Sequence, residues 1–268
     1  MEWKNLYRGA MMGISELIPG VSSGTIAVIL GIYDNLIRAI TGFFSKEWKR
    51  HLPFLIPLGI GMVAAVAAFV KIIRWLLENH TEPTHFFFLG LIVGVLPLLW
   101  KKAKVKQTFN KAHYIALIAA MLLVASMEFF RPAEASEPIV QLTLLSGVGL
   151  FFSGWLASMS MIMPGISGSL VFLILGVYNT AIFALESLNL QVILAIGAGV
   201  LVGIIVSSKA IKYLLSHFPY ASYAVIIGLV IGSIVPVFPG ITSAYQLFPS
   251  IITFIAGTAT ALLLGSKG

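Results

Sequence analysis

Gly13-Ile14-Ser15-Glu16-Leu17-Ile18-Pro19-Gly20-Val21-Ser22-Ser23-Gly24-Thr25 sets a Pro-Gly break and a patch of small hydroxyl residues inside a long apolar run. The stretch has an echo in Ser158-Met159-Ser160-Met161-Ile162-Met163-Pro164-Gly165-Ile166-Ser167-Gly168-Ser169-Leu170. Proline cannot donate a backbone hydrogen bond, and glycine accepts conformations other residues resist. In lipid, a broken helix is tolerated only where protein or a water-filled cavity surrounds the freed backbone groups. Each stretch therefore reads as half of a buried site, not as a lipid-facing turn.

Working outward, the echo becomes a repeat. A shift of 145 superposes Gly9, Ser15, Pro19, Gly20, Ser22, Leu30, Gly31 and Tyr33 on identical residues, from Gly154 to Tyr178, without a gap. Further on, a shift of 138 places Gly59 and Gly61 on Gly197 and Gly199, and Lys71 and Arg74 on Lys209 and Lys212. It also places Gly90-Leu91 and Gly94 on Gly228-Leu229 and Gly232. The change of shift puts a longer loop near Thr41–His51 in the first copy. Two copies of one unit are a frequent mark of transporter folds.

Composition sets the medium. The chain is 59% hydrophobic and 10% charged, with a mean hydropathy of +0.99. That balance belongs to a polytopic membrane protein. No cleavable signal peptide is expected, because Glu2, Lys4 and Arg8 crowd the first turn. The chain has no cysteine, which removes disulfides and thiolate metal sites, and its five histidines show no ligand spacing. No metal and no cofactor are expected. The net charge of +7 fits basic cytoplasmic loops better than nucleic acid.

Apolar segments of spanning length fall near residues 52–77, 84–100, 112–130, 190–208, 220–236 and 249–265. The apolar segments flanking each break, 7–18 with 23–42 and 139–163 with 167–186, read as one hairpin each, over 7–42 and 139–186, or else as separate spans; the repeat favours the hairpins. The expected fold is an all-α polytopic membrane protein of two inverted repeats, 1–131 and 132–268, in one integrated membrane domain. Each repeat is a re-entrant broken-helix hairpin followed by three transmembrane helices. Three spans per half is an odd number, so the halves must be inverted. Basic residues cluster at Lys46–Arg50 and Lys101–Lys111, and Lys267 ends the chain, whereas Glu78, Glu82, Glu134 and Glu137 occupy the alternate loops. The positive-inside rule then puts both termini in the cytoplasm.

Candidate site residues follow from the hairpins. Gly20, Ser22, Ser23, Gly24 and Thr25, with Gly165, Ser167, Gly168 and Ser169, stand where a second half-helix begins. Such an end presents free N–H groups and a positive dipole, which suits an anion such as phosphate. The alternative is that these serines only cap broken helices. Glu16 has no acidic counterpart, its equivalent being Met161. An intramembrane carboxylate is costly, and burial favours its protonated form, so Glu16 is a candidate for proton coupling. The alternative is a structural cap on the turn. Lys71/Arg74 and Lys209/Lys212 are basic pairs on one helix face each. They are secondary candidates for a phosphate headgroup, or else interfacial anchors. Asp34, matched by Asn179, and Arg38 read as interfacial anchors, as do Glu128 and Arg131 beside Phe129-Phe130. The Gly-x-Gly and Gly-x-x-x-Gly pairs read as sites of close helix approach.

Glu16-Leu17-Ile18-Pro19-Gly20-Val21-Ser22-Ser23-Gly24-Thr25 with Leu30-Gly31-Ile32-Tyr33-Asp34 resembles the signature of the DUF368 family. Met163-Pro164-Gly165-Ile166-Ser167-Gly168-Ser169 with Gly176-Val177-Tyr178 resembles its second signature. The resemblance covers nearly the whole chain. It departs at Ser23, where the family often has glycine. It implies a lipid translocase of the PopT type in the bacterial cytoplasmic membrane, not an enzyme. The implied substrate is undecaprenyl phosphate or a related polyprenyl phosphate, returned across the membrane for cell-wall (peptidoglycan) synthesis. The chain is also similar, more weakly, to undecaprenyl-pyrophosphate phosphatases, which carry a Pro-Gly-x-Ser-Arg-Ser motif and paired glutamates. Here Ser23 or Gly168 stands at the arginine position, and Met12 and Gly20 stand four residues either side of Glu16. The phosphate clamp and second carboxylate that hydrolysis needs are therefore missing.

Overall fold

The structure is a computed structural model that describes residues 2–18, 20–130, 132, 137–241 and 244–266. Pro19, Arg131, Glu134 and Lys267, named above, lie outside the described residues. Among the described residues the chain is helical throughout, with no strand. Helices α1 (Lys4–Glu16), α2 (Ser23–Ile29) and α3 (Tyr33–Phe43) make the first broken hairpin. Three long segments follow: α4 (Trp48–Asn79), α5 (Thr81–Lys102) and, after the one-turn α6 (Val105–Thr108), α7 (Lys111–Ser126). The second half repeats this order. Helices α8 (Leu144–Ile162), α9 (Gly168–Ile174) and α10 (Tyr178–Glu186) form its hairpin. Then come α11 (Leu190–His217), α12 (Pro219–Gly232) with the short α13 (Ile234–Val237), and α14 (Ala244–Gly265).

All six spans expected outside the hairpins coincide with helices long and apolar enough to cross a membrane, and α8 is a seventh. The protein is thus a multi-pass membrane protein. Helices α9 and α10 are bent by 108° at their break, the geometry of a re-entrant segment or broken span. The outer faces are apolar and bare: Leu144 is 89% exposed and Leu194 68%. Apolar surface on that scale calls for lipid around it.

Local chemistry places the helix ends. Asn110 caps α7 by accepting the His113 N–H at 3.2 Å, while its own N–H donates to His113 Nδ1 at 3.1 Å. Thr143 and Ser146 form the same reciprocal cap on α8. Helix α2 ends because Gly31 enters the left-handed region at φ 69°. The Ile32 N–H then returns to the Ala27 carbonyl and the Gly31 N–H to Val28. Helix α9 ends identically, with Gly176 at φ 69° and bonds from Val177 to Phe172 and from Gly176 to Leu173. The internal repeat thus extends to individual dihedral angles.

The two halves are interwoven. In each half the hairpin's first arm lies along the first long helix, α1 on α4 and α8 on α11. The remaining long helices exchange partners: α5 packs on α14 of the other half, and α12 packs on α7. Glycines set these approaches. A Cβ added at Gly9 or Gly61 would strike the Leu58 or Leu6 carbonyl, and at Gly154 or Gly199 the Ile196 or Phe151 carbonyl. Gly90 and Gly94 meet α14 backbone, and Gly228 and Gly232 meet α7 backbone. With no hydrophobic drive between helices in lipid, close backbone contact of this kind supplies the cohesion.

One glycine of each Gly-x-Gly pair makes the approach and the other does not, since nothing lies within 4 Å of a Cβ placed on Gly59 or Gly197. Gly199→Val should therefore lower stability by about 1–3 kcal/mol through overpacking against α8, while Gly197→Val should stay near wild type. Thermal unfolding of the two variants side by side in detergent micelles checks this.

Candidate functional site

The two broken hairpins meet tip to tip. The Ser22 hydroxyl donates to the Met163 carbonyl at 3.1 Å. The Gly165 N–H donates to the Thr25 hydroxyl at 2.9 Å. A Cβ on Gly24 would come within 3.1 Å of the Pro164 nitrogen, so the tips touch through backbone. Gly20 and Gly165 hold φ values of 87° and 89°, a conformation that only glycine adopts without strain. Behind each tip, Ser15 and Ser160 bond back to the Met12 and Ala157 carbonyls at 2.7 and 2.6 Å, which ties off the ends of α1 and α8 in the same way.

All nine residues read from the sequence as phosphate ligands lie at this junction. Gly20, Ser22, Ser23, Gly24 and Thr25 are buried, as are Gly165, Ser167 and Gly168, and Ser169 is half-buried. Ser22 and Thr25 spend their hydroxyls on the opposite tip, and Ser167 and Ser169 share a hydrogen bond of 2.8 Å. Both half-helices are only seven residues long. Ser22 and Ser167 stand at the N-cap positions, yet neither side chain makes a capping hydrogen bond; Ser22 and Thr25 tie one tip to the other, while the Ser167–Ser169 bond stays within its own tip.

Glu16, the last residue of α1, reaches with its side chain to the start of α2, where its Oε1 accepts the Ser23 N–H at 3.3 Å. A carboxylate thus occupies the position at which an anion would meet this helix. At the other tip the equivalent Met161 lays its side chain against Gly168, so no acid faces the start of α9 there. The two tips are alike in backbone and unlike in charge.

Their surroundings also differ. Helix α2 is buried nearly all round, enclosed by protein. Helix α9 instead lines an apolar groove of about 620 Å³ between α7, α8 and α12, whose floor is Met163, Ile166, Val225 and Leu229. Leu123, Leu156, Met159 and Leu175 on its rim are exposed on the outer surface, so the groove opens sideways. A smaller apolar cavity of about 210 Å³ lies on the other side of Met163 and Val225, reaching Tyr33, Pro164 and Leu215.

The basic candidates separate. Arg74 is paired with Glu78 at 2.8 Å on an exposed face. Lys71 and Lys209 are exposed and line none of these cavities. Lys212 instead borders a polar pocket of about 190 Å³ with Asp34, Arg38, Ser216 and Tyr223. Within that group Lys102 bridges to Asp34 at 2.7 Å, and the Tyr223 hydroxyl reaches the same carboxylate at 3.3 Å. The sequence pattern marks Asp34 and Arg38 as interfacial anchors and gives no sign of Tyr223 beside them. The signal was faint, an acid and an arginine in α3 whose equivalents, Asn179 and Phe183, carry no charge.

Comparison with known proteins gives relatives for the chain as a whole. A family described as VCA0040-like, undecaprenyl phosphate translocase-like, matches residues 12–252. A Staphylococcus aureus (strain NCTC 8325 / PS 47) protein named polyprenyl-phosphate transporter is 41% identical over 273 residues, covering 98% of this chain and 96% of its own length. A Vibrio cholerae protein of the same name is 31% identical over 253 residues, covering 89% of this chain and 79% of its own. No solved structure matches the chain.

The contact between tips can be broken selectively. Thr25→Val removes the acceptor of the Gly165 N–H and leaves a buried donor unsatisfied, a cost of about 1–3 kcal/mol. Thr25→Ser keeps the acceptor and should stay near wild type. The thermal midpoint in detergent, with faster amide hydrogen exchange at Gly165 in the valine variant alone, is the measurement.

Proposed function

Because the chain belongs to the undecaprenyl phosphate translocase-like family, we propose that it carries a polyprenyl phosphate across a membrane, its phosphate head bound between the two hairpin tips. The observation that carries this reading is the junction itself: two broken hairpins interlocked beside an apolar groove that opens sideways. A long isoprenoid tail stays in lipid and the groove, and only the head passes between the tips. The substrate is undecaprenyl phosphate or a close relative, returned across the bacterial cytoplasmic membrane for cell-wall synthesis.

In this reading the described conformation is closed. Each tip satisfies the other's backbone, which supplies the polar partners that lipid cannot. Parting the tips frees the Ser22 hydroxyl and the Gly165 N–H as donors, and a phosphate oxygen can accept from each, while the Thr25 hydroxyl, released as an acceptor, turns to donate as well. Ser167 and Ser169 at the groove side receive the head first, because no acid faces them. Glu16 holds the Ser23 N–H until an anion arrives. Two negative groups cannot share that donor at low cost, so Glu16 takes up a proton as phosphate enters. Protonation is easier at lower pH, so loading quickens as pH falls.

The halves 1–131 and 132–268 act as inverted copies, both termini facing the cytoplasm. The exchange of partners between α5–α14 and α7–α12 supports this, since it maps each half onto the other. Single cysteines at Lys106 and Glu137 should then label from opposite sides of the membrane with an impermeant thiol reagent. Labelling of both from one side would overturn the inverted arrangement.

Leaflet transfer in liposomes tests the mechanism. Removing one hydrogen bond to a charged group costs about 1.5–3 kcal/mol, so Ser22→Ala or Ser167→Ala should weaken lipid binding by about one to two orders of magnitude. Glu16→Gln should flatten the dependence of transfer on pH. Wild-type binding and transfer in both serine variants would mean that the tips are structural turns.

A further inference from the structure

The polar pocket beside α3 is built from segments far apart in the chain. Asp34 and Arg38 come from α3, Lys212 and Ser216 from the end of α11, and Tyr223 from the start of α12. Lys102, at the end of α5, is held over it by Asp34 at 2.7 Å and lies 5.4 Å from the Tyr223 ring centre. Arg38 and Lys212 are exposed and form no ion pair among the described residues. Three cations and one carboxylate leave two positive charges, the complement of a phosphate monoester dianion. Arg38 offers a planar fork for its oxygens and Lys212 a mobile ammonium, while the Ser216 hydroxyl, which donates to the Tyr213 carbonyl at 2.9 Å, can turn to join them.

The pocket also connects. Leu215 lines both it and the adjoining apolar cavity. Met163 and Val225 in turn line both that cavity and the sideways groove. The three spaces are therefore neighbours, from Lys212 past the second hairpin tip to the exposed rim of the groove. A polar end beside two apolar spaces, parted from each other only by the Met163 and Val225 side chains, suits an amphiphile with an anionic head. The repeat does not duplicate this pocket. The positions equivalent to Asp34, Arg38, Lys212 and Tyr223 hold Asn179, Phe183, Arg74 and His85, and Arg74 is already paired with Glu78.

We propose that Arg38, Lys212, Ser216 and Tyr223 form a second phosphate station at one end of the path, which holds the monoester head of the polyprenyl lipid before or after it passes the hairpin tips. Asp34 acts through Lys102 and Tyr223 as a positioning residue, keeping a third cation and a phenol at the rim. The inference rests on the transport reading above and adds a place to it. The head is held at one membrane end only, while the tail lies against Leu215, Met163 and Val225.

The test uses the full chain in nanodiscs of phosphatidylcholine, titrated with undecaprenyl phosphate and followed by native mass spectrometry. Arg38→Gln and Lys212→Gln should each weaken binding about tenfold or more, and the double variant further. Lys212→Arg, which keeps the charge, should bind within about threefold of wild type. Undecaprenol, lacking the phosphate, should bind far more weakly than the phosphate. Inorganic phosphate and phosphatidylglycerol should not displace the lipid at equal concentration. Wild-type affinity in the double variant overturns the station. Displacement by inorganic phosphate alone overturns the lipid as its source, and equal binding of undecaprenol overturns head recognition. A parallel leaflet-transfer assay keeps this inference apart from its premise. No transfer by the wild type defeats the transport reading, whereas normal transfer with unchanged binding in the double variant defeats only the station.

Discussion

A backbone N–H or carbonyl in hydrocarbon has no water to turn to, and an unsatisfied one costs several kcal/mol. This chain breaks its helices at two equivalent Pro-Gly turns inside a bundle of apolar helices. The Gly165 N–H reaches Thr25 and the Ser22 hydroxyl reaches Met163, so each break finds its missing partner in the other. The surrounding architecture serves that contact. The hairpins must come from different halves, their arms must be held by α4 and α11, and the tips must be walled in by α5 and α12. Gly9, Gly61, Gly154 and Gly199 let those arms lie backbone to backbone.

The same contact accounts for the asymmetry between the tips. A junction that satisfies itself with neutral groups leaves Glu16 as the charged element, and it is placed on the Ser23 N–H of one half alone. The other half has Met161 against Gly168 and opens to the groove. A duplicated unit has thus kept its backbone down to matching glycine dihedrals while its side chains have diverged in charge and in access. In the transport reading proposed above, that divergence would give a lipid one side from which to approach and a carboxylate to meet on the other.

Charge is concentrated again where α3, α5, α11 and α12 converge. Asp34 gathers Lys102 and Tyr223, and Arg38 and Lys212 flank them without ion-pair partners among the described residues. Exposed cations near a membrane surface commonly serve only as anchors. Here they share a pocket that neighbours the apolar cavity beside the second hairpin tip, and that adjacency sets them apart from Lys71 and Lys209.

Much of this protein was legible in its residues. The apolar runs marked the six spans, and the Pro-Gly echo with Leu-Gly-x-Tyr marked two equivalent hairpins. Helix formation, the left-handed glycine at a helix end and the period of an apolar run are local properties, readable from neighbours in sequence. Long-range placement was not legible. The Gly-x-Gly pairs announced close approach, but only the fold decided that Gly61 and Gly199 make it while Gly59 and Gly197 face open space. Glu16 was visible as a costly carboxylate, whereas its seat on the Ser23 N–H depended on how the turn closed. Asp34 meets Lys102 from 68 residues away and Tyr223 from 189. No local pattern encodes such meetings, because they arise when α5 and α12 cross between the halves and carry their ends to α3. The sequence by itself determined the helices, their breaks and their duplication. Tertiary packing decided which polar groups face one another, since that depends on the distances between helices rather than on the order of residues along them.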